Sequence, residues 1–180
     1  MRKDLLVLGF VAFIIALLIS GTKIQSVEEY YVTHIDEITE TSETVFLTIR
    51  SDVVLSQLDR LPDEILPYIE EDGIILERSQ YVLRPNDTAF SILNRATRHH
   101  RIQMEYQGAD MNIYNSVYVQ GIQYLYEFSC GPLSGWMYKV NGIYPNYGCS
   151  QYVLEDGDVI EWDYTTDLGR DLGQSVAGES

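Results

Sequence analysis

Residues 130–164 read CGPLSGWMYKVNGIYPNYGCSQYVLEDGDVIEWDY, and this stretch decides the fold. Side chains alternate along a strand, so Trp136, Tyr138 and Val140 share one face while Met137 and Lys139 take the other. Asn141-Gly142 is a strong hairpin signal, because both residues tolerate the positive φ of a type I′ turn. The segments flanking it are therefore predicted to pair antiparallel. Asp156-Gly157-Asp158 has the composition of a tight turn. Beyond it, Val159, Glu161 and Asp163 alternate with Ile160, Trp162 and Tyr164, which predicts a strand with one apolar face.

Working outward, Val45, Leu47 and Ile49 alternate in TVFLTIR at 44–50, the pattern of a half-buried strand. Leu55, Leu58 and Leu61 fit short helical turns ended by Pro62 and Pro67. Asp72-Gly73 then turns the chain into apolar runs at 74–76 and 81–83. Asn86-Asp87-Thr88 is a helix entry, and Phe90, Leu93, Ala96, Thr97 and His100 recur at helical spacing behind it. Ile102, Met104 and Tyr106 alternate again, a polar loop follows at 108–116, and a further strand is expected near 125–129. One helix crossing a mixed, mostly antiparallel sheet is α+β architecture.

The run from Gly135 to Tyr164, with the helix entry at Asn86-Asp87-Thr88-Ala89-Phe90, resembles the transcobalamin-like C-terminal domain family over residues 81–166. That resemblance implies a β-grasp-like domain. In the vitamin B12 carriers a similar small domain closes over the corrinoid, beside a large helical barrel that this chain is too short to encode. Cobalamin or a related corrinoid is thus the ligand class that the resemblance implies.

The N-terminus carries Arg2 and Lys3 before an apolar run from Leu5 to Ile19. The 18 residues 5–22 span about 27 Å as a helix, close to a ~30 Å hydrocarbon core. A signal-anchor transmembrane helix is expected, with a cleaved signal peptide as the alternative; Leu18 and Ile19 occupy the upstream position of an A-x-A-like site for cuts after Ser20 and Gly21. The basic pair would keep the N-terminus cytoplasmic and leave the rest outside the cell membrane. The expected organisation is an anchor at 1–22, an acidic stalk at 23–43, strands and a short helix at 44–80, the family-like domain at 81–166 and a frayed tail at 167–180. With 27 acidic against 12 basic residues and a net charge of −15, the chain would be repelled by nucleic acid.

Cys130 and Cys149, the chain's two cysteines, are expected to form a disulfide in an extracytoplasmic setting, two buried free thiols being the alternative. A metal site is not expected, since no third ligand lies nearby in sequence. Trp136, Tyr138 and Tyr144, with Asn141 and Asn146 at the rim, are the candidate ligand-binding residues: flat rings that stack and amides that orient. Core packing is the competing use of strand aromatics. There is no phosphate loop, H-E-x-x-H or G-x-S-x-G, so an enzyme is not expected. The sequence points to a membrane-anchored module for a soluble ligand, or else to a structural or protein- or glycan-interaction module of the cell envelope.

Overall fold

The computed structural model describes residues 36–173, together with Phe10, Val11, Phe13 and Ile14. Most of the expected anchor and stalk, and residues 174–180, lie outside the described residues. No described helix is long and apolar enough to cross a membrane.

The alternation of TVFLTIR becomes β1 (Thr44–Arg50), with Val45, Leu47 and Ile49 wholly buried. β1 pairs antiparallel with β2 (Ile74–Val82) and parallel with β7 (Val159–Thr165), and β7 pairs antiparallel with β6 (Gly135–Val140). The strand order β2-β1-β7-β6 makes a mixed sheet. A second, antiparallel sheet is built from β3 (Met104–Gln107), β4 (Tyr118–Ile122) and β5 (Leu125–Tyr126) in sequence order. The fold is therefore α+β with mostly antiparallel pairing, as expected, although the strands divide between two sheets.

Helix α1 (Ala89–His100) starts where the sequence says it should. Thr88 accepts from the Ser91 N–H at 3.2 Å and the Ser91 hydroxyl accepts from the Thr88 N–H at 2.7 Å, a capping box that satisfies two otherwise orphan donors. Its inner face, with Ala89, Ile92, Leu93 and Ala96, joins Leu47, Ile49, Ile160 and Trp162 in one core. Arg101 closes the helix at φ 58.

Several expectations need correction. The Asn141-Gly142 turn is present, with φ 52 and 79, but it joins Val140 and Ile143 by a single bridge. The partner of β6 is the distant β7, because the apolar face of Ile160, Trp162 and Tyr164 matches Val140, Tyr138 and Trp136 opposite it. The strand expected near 125–129 stops at Tyr126, since Phe128 adopts φ 65 and turns the chain back, its N–H bonding to Ser134 O at 3.0 Å.

Cys130 and Cys149 are separate, buried free thiols and form no disulfide. Cys130 Sγ faces Gln57 O at 4.0 Å, whereas Cys149 Sγ donates to Val117 O at 3.4 Å. The Cys149 carbonyl also accepts from the Phe90 N–H at the start of α1. The segment between them is not a closed hairpin, so its ends pack on different elements. Residues 167–173 are tied down where a frayed tail was expected: Asp171 accepts from the Thr166 N–H at 2.7 Å and from its hydroxyl at 2.8 Å.

Candidate functional site

The β6–β7 ladder sets Trp136 opposite Tyr164 and Tyr138 opposite Trp162. The first pair meets edge to face at 5.3 Å and the second stacks at 5.5 Å. Trp136 is only 9% exposed, and its Nε1–H donates to Leu125 O at 2.8 Å. Tyr164 is buried beside it and donates to Tyr126 O at 2.8 Å. These rings hold the two sheets together, and little of either is left to meet a ligand.

The five candidate residues do not converge on one point. Tyr138 is half-buried and donates to Tyr147 O at 2.7 Å, fastening β6 to the segment after the turn. Asn141 donates to Asp158 Oδ1 at 2.7 Å and accepts from the Val159 N–H at 3.0 Å, so its amide locks two turns together. Tyr144 lies on the opposite face of the sheet, where its hydroxyl donates to Asp163 Oδ2 at 2.9 Å. Lys139 Nζ stands over that ring at 5.7 Å while bridging Glu161 at 3.2 Å and Asp163 at 3.1 Å. Asn146 alone of the five faces the cleft described next.

That cleft, of about 250 Å³, opens between residues 112–118 and 145–148 and is lined by Asn112, Tyr114, Tyr118, Asn146 and Tyr147 among others. Side-chain braces shape the first loop. Asn112 Nδ2 donates to Ser116 O at 2.7 Å, and Asn112 Oδ1 accepts from the Tyr114 N–H at 3.0 Å. Ser150 Oγ accepts from the Val117 N–H at 2.9 Å and lies 2.9 Å from Ser116 Oγ, so the two loops are joined at their base. Gly148 is required there: a Cβ on it would fall 1.8 Å from Ser116 Oγ. The tip carries Ile113 at 92% and Tyr114 at 77% exposure.

Tyr118 is the wall between this cleft and a second hollow of about 240 Å³, which Phe128, Leu133, Trp136, Met137 and Leu168 help to line. Its hydroxyl donates to Glu127 Oε2 at 2.5 Å. Burial, reinforced by Glu127, pushes the Tyr118 phenol well above its ordinary pKa. Phe128 and Leu168 sit at φ 65 and 51, conformations costly for bulky residues, and both expose apolar side chains beside that hollow. The sequence signal for the cleft was faint: three large apolar residues, Met111, Ile113 and Tyr114, in an otherwise polar loop.

Among the described residues, no group of three or more His, Cys, Asp or Glu is placed to hold a metal ion. Burial raises the Cys130 thiol above its ordinary pKa and the Cys149 thiol to about 12, so both stay protonated and unreactive. What the cleft offers is stacking surface and the hydrogen-bonding amide of Asn146.

Residues 86–166 match the family described as a domain of unknown function (DUF4430), within the stretch 81–166 that carries the resemblance. No curated protein matches the chain. Among solved structures it is similar to haptocorrin crystallised in complex with Cbi, at 12% identity and a TM-score of 0.48 over 74% of this chain. The chain spans 27% of that haptocorrin's length. It is also similar to a "putative metal binding protein" from Ruminococcus gnavus ATCC 29149, at 10% identity and a TM-score of 0.39 over 68% of this chain and 96% of the other.

Proposed function

We propose that this chain, whose residues 86–166 form a domain of that family, is a membrane-anchored extracytoplasmic module that captures a soluble ligand in the cleft between residues 112–118 and 145–148. Its role is binding, not catalysis. The observation that carries the proposal is the cleft itself, where Tyr114, Tyr118 and Tyr147 supply aromatic surface and Asn146 supplies an amide. Anchoring and location rest on the Arg2-Lys3 pair and the apolar run behind it.

The sequence resemblance makes a corrinoid the first ligand to test, and the geometry says how one would be held. A cleft of about 250 Å³ lies below the ~300–1,000 Å³ of pockets that enclose drug-sized ligands. It grips the edge of a large flat molecule and leaves the rest to a second component. Affinity of the chain alone is therefore expected to be micromolar or poorer, rising when a partner completes the site. Titration with cobalamin, cobinamide, haem and short glycans, read by intrinsic fluorescence and calorimetry, tests this. A saturable response that disappears in Tyr114→Ser supports the cleft; no response to any probe, or one that survives Tyr114→Ser with Asn146→Ala, overturns it.

A second reading, an envelope interaction module docking protein or glycan, is favoured by one observation. Phe128, Leu133 and Leu168 are exposed around the neighbouring hollow and form an apolar surface.

A further inference from the structure

A separate hollow of about 170 Å³ lies along α1, walled by Arg84, Asp87, Phe90, Asn94, Arg95 and Arg98. In a chain with 27 acidic and 12 basic residues, convergence of three arginines reverses the overall balance. The one carboxylate in its wall is already saturated. Asp87 Oδ2 accepts from the Arg84 backbone N–H at 2.8 Å and from Arg95 at 2.7 Å, and Oδ1 accepts from the Ser91 hydroxyl at 2.7 Å.

The guanidinium donors of Arg95 and Arg98 are not saturated. Arg95, its side chain 8% exposed, uses one terminal nitrogen for both Asp87 and Val82 O. Arg98 donates from Nε to Asn94 Oδ1 at 3.1 Å, and no described carboxylate lies within ion-pair range of it. Arg84 is held in place by Asp36 through Nε and a terminal nitrogen, at 3.0 and 2.9 Å. Each guanidinium carries five N–H donors, so Arg95 and Arg98 retain donors that no described residue accepts. They stand three residues apart on one helix face, so their remaining donors can reach one group together.

We infer that this hollow binds a single oxyanion group, a carboxylate, phosphate or sulfate on a soluble molecule, held by the fork of Arg98 with the buried Arg95 behind it. Planar guanidinium edges match such groups bidentately. The volume suits one such group beside the Phe90 ring. A phospholipid headgroup presents the same chemistry, but a chain of net charge −15 is repelled by an anionic bilayer, which favours the soluble source. The site is independent of the cleft.

The test uses the full chain in detergent at low ionic strength. Sodium phosphate, sulfate and citrate are titrated against sodium chloride of matched ionic strength, with melting temperature and the arginine Nε–H NMR signals as readouts. At least one oxyanion is expected to saturate, raise the melting temperature and shift the Arg95 and Arg98 signals. Arg98→Gln should weaken that binding about tenfold or more with an unchanged melting temperature in chloride, and Arg98→Lys should restore part of it. An equal response to chloride, or full affinity in Arg98→Gln, overturns the site. Sedimentation with phosphatidylglycerol vesicles but no response to the free ions overturns the soluble source. Corrinoid titration should be unaffected by Arg98→Gln, so failure here is distinguishable from failure of the cleft.

Discussion

The inner face of the β6–β7 ladder and the rim of the cleft are both rich in aromatic residues, yet they use them in opposite ways. On the ladder, Trp136, Trp162 and Tyr164 are buried, and the Trp136 indole and Tyr164 hydroxyl have backbone acceptors. On the rim, Tyr114 and Ile113 are left in solvent on a loop whose backbone is braced by Asn112. Aromatic content by itself therefore marks neither core nor site. What separates them is the periodicity of the segment and the burial of its rings.

The comparison is broken most directly at Trp136. Trp136→Ala removes a buried indole between two sheets and leaves the Leu125 carbonyl without its donor, and is expected to cost about 3–5 kcal/mol. Urea unfolding of the variant measures it. A loss below about 1 kcal/mol, well under the cavity range, together with an abolished ligand response, would return Trp136 to the binding surface and erase the distinction.

Asn141 is the next largest. Its side chain makes two hydrogen bonds and its backbone sits at φ 52. Asn141→Ala should therefore cost about 1–2 kcal/mol, through a strained left-handed alanine and lost bonds. Asn141→Gly relieves the strain and should cost less. Equal losses in the two variants would show that the side-chain bonds, not the backbone conformation, hold this turn.

Much of the framework was legible. The alternation of Val45, Leu47 and Ile49, the Thr88 entry to α1 and the two faces of 159–164 are local patterns, fixed by periodicity and capping chemistry. The partner of β6 was not legible, because the Asn-Gly turn offers a local pairing that the long-range match of Trp136, Tyr138 and Val140 to β7 outweighs. The thiols were misread for a related reason: sequence spacing does not say that Cys130 turns toward Gln57 while Cys149 turns toward Val117. Of the candidate site, Asn146 alone was placed at the cleft by its sequence position. Tyr114 and Tyr118 escaped because a loop has no period to read.

The corrected cysteines sharpen the comparison at high pH. Burial raises the Cys149 thiol from 9.0 to about 12 and the Tyr81 phenol from 10.0 to about 12. The unfolded chain releases these protons first, so stability is unaffected below about pH 9 and declines as pH rises toward 12. Unfolding midpoints across that window should fall steadily. Maleimide should label neither thiol in the native protein at pH 8 and both in unreduced, denatured protein; a denatured chain that labels neither would reinstate the disulfide.

The smallest effect on stability is expected where the largest effect on binding is proposed. Tyr114 makes no side-chain hydrogen bond to a described residue and is 77% exposed. Tyr114→Ser should therefore change unfolding free energy by no more than about 0.5 kcal/mol, the ordinary range for surface positions. Ile113→Ser should behave alike, since that side chain is 92% exposed. If the cleft is the ligand site, Tyr114→Ser removes its stacking wall and the fluorescence response with it, at unchanged stability. If instead the variant unfolds easily, Tyr114 belongs with Trp136 as a structural residue, and the contrast between ladder and rim fails where it was drawn most sharply.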